Sequence, residues 1–189
     1  MDRRQYMIAI GAVVVIIIGI IAAFTYGKQT PPKTPPSQIS LTDHTTDGSE
    51  VRLTIVGPVN ANELHRSSSI SVSRDSRAVE FDKTYSDIPI TSATYINNQD
   101  AFDDFMTALQ NAGFTKPAKG TTQADDTGQC PQGQRYEYEL ITSDTVAMHT
   151  WSSSCQGKNE PFGGKASLVQ ALFRAQIPDY AKLQNAAAK

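Results

Sequence analysis

The sequence predicts an α+β domain, an antiparallel sheet of about five strands with two helices packed on one face, preceded by one transmembrane helix and a Pro-rich stalk. Three observations carry this. Period-2 alternation recurs in short runs such as "VRLTIVG", two stretches carry apolar residues at helical spacing, and a long apolar run lies at the N-terminus, apart from both.

The N-terminal run comes first. From Met7 to Phe24 about 18 residues are apolar without interruption, roughly 27 Å of helix at 1.5 Å per residue, enough to span a bilayer. Tyr6 and Tyr26 flank it at the depth where amphipathic rings collect, and Arg3 and Arg4 precede it, so the positive-inside rule keeps residues 1–6 in the cytoplasm. Residues 7–26 are therefore expected to be a signal-anchor helix in the cell membrane, with the C-terminal domain extracytoplasmic. A cleaved signal peptide is the other reading, but the run exceeds an h-region of about 7 to 15 residues and no A-x-A site follows. Both readings export the remainder.

Residues 27–50 open with "GKQTPPKTPPSQ" and continue through "SLTDHTTDGSE". Paired prolines favour extended PPII backbone, and few residues here can enter a core, so a flexible stalk is expected. Residues 51–180 leave enough chain for one domain. Of 17 basic and 19 acidic residues the first fifty hold four of each, leaving 13 and 15. That balance argues against nucleic-acid binding.

Within the domain, Val51, Leu53 and Ile55 alternate with Arg52 and Thr54 as a half-buried strand. "SISVSRDSRAVEFD" reads as a hairpin turning at Asp75-Ser76, which sets Val72 opposite Val79 and Ile70 opposite Phe81. "NNQDAFDDFMTALQNAGF" is a helix capped by Asn98 or Asp100, with Phe102, Phe105, Met106 and Leu109 as its stripe and Gly113 as its stop. A second hairpin turns at Ser143-Asp144 and places Tyr138 across from His149 and Tyr136 across from Trp151. A second helix spans about Lys165 to Gln176 and ends before Pro178, leaving residues 181–189 as a tail.

Chemistry is sparse in this pattern. Cys130 and Cys155, the only two cysteines, are expected to form a structural disulfide in an exported domain, since no C-x-x-C or zinc spacing is present. The three histidines are scattered, G-x-S-x-G is absent, and the acids of "QDAFDD" open a helix rather than a calcium loop, so neither catalytic residue, metal site nor cofactor is assigned. Two weaker candidates remain. Tyr136, Tyr138, His149 and Trp151 are a candidate binding surface if exposed, and Gly163, Gly164 and Lys165 before the second helix are a weak anion site.

The short basic start, single span, Thr/Pro/Lys stalk and one-disulfide domain together resemble small single-pass membrane-anchored surface proteins of reduced-genome bacteria. That resemblance implies a tethered, non-enzymatic module with a protein or cell-envelope partner and transfers no catalytic residue. The arrangement of a helix followed by "CPQGQRYEYEL" also resembles small α+β inhibitors of secreted proteases. An extracytoplasmic hydrolase of unfamiliar type is the remaining alternative.

Overall fold

The computed structural model describes residues 39–45, 48–120, 125–155, 157 and 159–188. The expected membrane helix and most of the stalk lie outside these residues. Among the described residues no helix is long and apolar enough to cross a membrane.

The core is an antiparallel sheet of six strands: β1 Ser49–Val56, β2 Arg66–Ser73, β3 Ser76–Lys83, β4 Ile88–Ile96, β5 Arg135–Thr142 and β6 Thr145–Ser153, in the spatial order β4-β3-β2-β1-β5-β6. Among the described residues three α-helices follow the chain as α1 Gln99–Ala112, α2 Ala166–Ala175 and α3 Tyr180–Ala187. The inward residues Val51, Leu53, Ile70, Val79, Tyr138 and Leu140 cluster with Phe102, Met106, Phe173 and Ile177. All helices thus cover one face, as period-2 alternation on the strands requires.

Helix α1 follows its sequence signals. Asn98 accepts a hydrogen bond from the Ala101 N–H at 2.9 Å, and Gly113 closes the helix at φ 81°, a left-handed conformation that glycine adopts without steric cost. Helix α2 buries Val169 and Phe173 and leaves Leu168 43% exposed.

Five elements differ from expectation. The first hairpin turns at Arg74-Asp75, so Ile70 faces Val79 and Val72 faces Arg77, a two-residue slip that keeps every side chain on its face. Ser73 Oγ accepts from the Ser76 N–H at 3.1 Å, which draws the turn one residue earlier. Strand β4 was not expected, because Pro89 removes a donor and a bulge between Phe81 and Asp82 interrupts its ladder. Both are tolerated because β4 is the edge of the sheet. Residues 181–187, expected to open the tail 181–189, belong instead to α3, which buries Tyr180 and Ala187 and packs on β3 and β4. The chain also joins the fold before residue 51: Leu41 is fully buried, and its N–H donates to Gln110 Oε1 at 2.8 Å.

The last difference is in the second hairpin. Ser143 and Asp144 take φ of 48° and 61°, a two-residue turn with both centres left-handed, as the pairing of Thr142 with Thr145 requires. Beyond Ile141 a bulge then leaves Ala147 over, pairing Leu140 with Met148, Glu139 with His149 and Glu137 with Trp151. The expected pairs Tyr138–His149 and Tyr136–Trp151 do not form.

Candidate functional site

The bulge divides the aromatic group. Tyr138 is fully buried on the helix face, 3.0 Å from Ser152 Oγ through its hydroxyl, and burial raises its pKa. Tyr136 is half-buried on the same side. His149 is exposed and pairs with Glu139, while Trp151 is 1% exposed, pairs with Glu137 and stands outside the helix-side cluster. The four residues do not share a surface.

Cys130 and Cys155 are disulfide-bonded with Cα atoms 5.7 Å apart. A turn makes this possible: the Gly133 N–H donates to Cys130 O at 3.1 Å, and a Cβ at Gly133 would overlap Ser154 Oγ and Cys130 Sγ.

Two of the three backbone N–H groups that could serve an anion before α2 are already engaged. The Gly163 N–H donates to Lys116 O at 2.8 Å and the Lys165 N–H to Ala112 O at 2.9 Å. The glycines serve close packing instead, since a Cβ on Gly163 would meet the Pro117 carbonyl and one on Gly164 the Gly113 carbonyl. Gly164→Ala is therefore expected to lower stability by about 2 kcal/mol, because rigid backbone must move. Urea unfolding of this variant beside Lys165→Ala, which leaves the backbone contacts in place, checks this.

The sheet face that none of the described helices covers is polar across β1, β2 and β3 and forms the candidate site. β1 offers Arg52 and Thr54, β2 offers Ser67, Ser69 and Ser71, and β3 offers Glu80. These surround a depression of about 530 Å³, completed at one end by His65, Asp82, Tyr85 and Asp87 and at the other by Glu137. Arg52 is already engaged, 2.7 Å from Glu50 and 3.5 Å from Glu139. The depression thus holds four carboxyls against that one guanidinium and one imidazole. His65 is 4% exposed and stacks on Tyr85 at 3.9 Å between centroids, with its Nδ1 lacking a hydrogen-bond partner. Sequence reasoning missed this site, because serines and acids at alternate positions read as a solvated strand face.

Beside the depression, Arg135 Nε lies 3.0 Å from Asp126 Oδ2. Burial, with the Asp126 carboxyl alongside, pushes the Glu137 carboxyl up to about 7. A hydrogen bond from the neutral Glu137 carboxyl to Asp126 favours the protonated form of Glu137 as well. Because the folded-state pKa is the higher one, this contribution to stability is fully present below about 4.5 and is lost as pH rises through about 7. Between pH 5 and 8.5 the wild type is expected to lose about 1–2 kcal/mol more than Glu137→Gln, a figure discounted for the solvent that still reaches the carboxyl. Parallel urea titrations at the two pH values measure the difference, and equal losses would refute the raised Glu137 pKa.

Among the described residues no three histidine, cysteine or acidic side chains are placed to hold a metal ion. No protein-family model matches the chain, and no curated protein matches it.

Proposed function

We propose that this protein is a membrane-tethered extracytoplasmic binding module, non-enzymatic, whose open sheet face takes a protein or cell-envelope partner through a basic, extended segment. The observation that carries this reading is the acid-lined depression on a sheet face that none of the described helices covers. Its half-buried hydroxyls can bond an extended chain lying across the strands, and its excess of carboxyls favours a cationic side chain. The disulfide agrees with an oxidising compartment. The apolar run of residues 7–26 supplies the tether under the same reading.

Two measurements test it. Protease added to intact cells or spheroplasts should remove the domain, and a domain protected in the cytoplasm would overturn the reading. A photo-crosslinking residue at Ser69 or Ser71 should capture a partner in cells that the same residue at Ser167, on α2, does not. Equal labelling from both positions, or none from either, counts against the open face.

A second reading, a hydrolase, is favoured by the placement of Glu137 beside Asp126, where burial raises its carboxyl to about 7, the range of a general acid. Under that reading Glu137→Gln abolishes turnover of the substrate, whereas under the first it weakens partner capture without abolishing it, since Glu80, Asp82 and Asp87 remain in the depression.

A further inference from the structure

On the opposite side of Asp82 from the open face, a recess of about 220 Å³ lies between α3 and the sheet. One wall is apolar, formed by Ile55, Phe81, Ile90 and Ala187. The other carries Asp82, Arg174 and Tyr180, which come from β3, the end of α2 and the start of α3.

These three residues have an unusual property in common. Asp82 Oδ1, Arg174 Nε and Tyr180 Oη are all buried without a hydrogen-bond partner, whereas buried polar atoms are nearly always satisfied. Asp82 is 8% exposed and Tyr180 is 9% exposed, so bulk water does not readily serve either. The Arg174 guanidinium carbon sits 5.7 Å over the Tyr180 ring, which holds the cation at the recess. Burial and the neighbouring charges of Glu80 and Asp87 disfavour the ionised Asp82 carboxyl, a state that a bound cation would relieve.

A ligand that satisfies this recess must bring a cation for Asp82, an anion for Arg174 that also accepts from Tyr180, and an apolar body. An alkylamine or a fatty acid supplies only one of the two charges. Its size is bounded as well, since an apolar cavity of about 150 Å³ holds a benzene ring. A recess only somewhat larger has room for neither a nucleotide nor a folded peptide.

We propose that the recess binds a free amino acid with a branched aliphatic side chain, its ammonium on Asp82, its carboxylate on Arg174 and the Tyr180 hydroxyl, and its side chain against Ile55, Phe81 and Ile90. This inference does not rest on the reading of the open face.

Calorimetric titration of the full chain, solubilised in detergent, with leucine or isoleucine tests it. Saturable heat is expected from the free amino acids, while N-acetyl-leucine, leucinamide and 4-methylpentanoate, each lacking one charge, should bind at least about tenfold more weakly. Asp82→Asn and Arg174→Gln should each weaken leucine about tenfold or more, and Tyr180→Phe, which keeps the ring, about threefold. The analogue series reads the wild-type protein, so it decides the matter even where a variant fails to fold. Absence of heat from every apolar amino acid at about 10 mM, or equal binding of leucine and N-acetyl-leucine, overturns the proposal.

Discussion

Phe173→Ala lowers the unfolding free energy by about 4 kcal/mol, a large part of the 5–15 kcal/mol that holds a domain together. Phe173 is fully buried on α2, with its ring edge-on to Phe105 at 5.3 Å and tilted against Phe114 at 6.0 Å. Phe114 meets Tyr138 edge-on at 6.0 Å, and Tyr138 stacks on Phe162 at 4.4 Å. Rings from α1, α2 and β5 therefore share one contiguous contact, and removing its middle member loses dispersion on two sides while leaving a cavity between helices that cannot both collapse inward. Leu168, one position before Val169 on the same helix and 43% exposed, provides the comparison: Leu168→Ala is expected to cost less than about 0.5 kcal/mol. Urea unfolding followed by circular dichroism measures both. A Phe173→Ala cost near that of Leu168→Ala would mean that α2 does not pack on the sheet as described.

The double substitution Cys130→Ser with Cys155→Ser costs about 3.5 kcal/mol in the chain-entropy model for a loop of this size. The bond lies beyond the open ends of β5 and β6, where the pairing of Arg135 with Ser153 is the last rung of the ladder. Without it those ends must be held by the ladder and by the Gln134 N–H, which donates to Ser154 Oγ at 2.9 Å. Trp151 reports the event directly, since it is the only tryptophan, is 1% exposed and lies four residues before Cys155. Its fluorescence should shift to the red at lower urea in the variant than in the oxidised wild type, and the wild type treated with reductant should follow the variant. Unchanged midpoints would show that the bond contributes nothing beyond the strand pairing.

Much of the fold was legible because burial is one-sided. Val51, Leu53 and Ile55 alternate, and so do Ile70 with Val72 and Val79 with Phe81, and all enter the core, so even a hairpin register two residues off assigned each side chain to its correct face. The disulfide was legible from the cysteine count and the compartment the N-terminal run leads one to expect. β4 was not, because Pro89 and a bulge mask the period, and α3 was not, because eight residues with Tyr180, Leu183 and Ala187 as the inward stripe have little intrinsic helix stability and depend on packing against β3 and β4.

The candidate sites were the least legible part. A single extra residue, Ala147, is enough to send Trp151 to the face of Glu137 and away from Tyr138, because side chains alternate with period 2 and a bulge advances that period by one. No composition signal marks such a residue. The open-face depression gathers His65, Glu80, Asp82 and Glu137 from segments that neighbour one another only once β1 pairs with both β2 and β5.

The sequence by itself determined the class of the domain, which strand residues turn inward, the ends of α1 and the pairing of the cysteines, because each follows from local periodicity, capping chemistry or simple counting. Only the tertiary structure decided which aromatic rings are covered, which face of the sheet stays bare, and that Asp82, Arg174 and Tyr180 converge on one recess. The physical reason is the same in each case. Local rules specify where a side chain points relative to its own strand or helix, whereas a site depends on which other elements arrive there, and that is settled by the packing of residues about 90 positions apart in the chain.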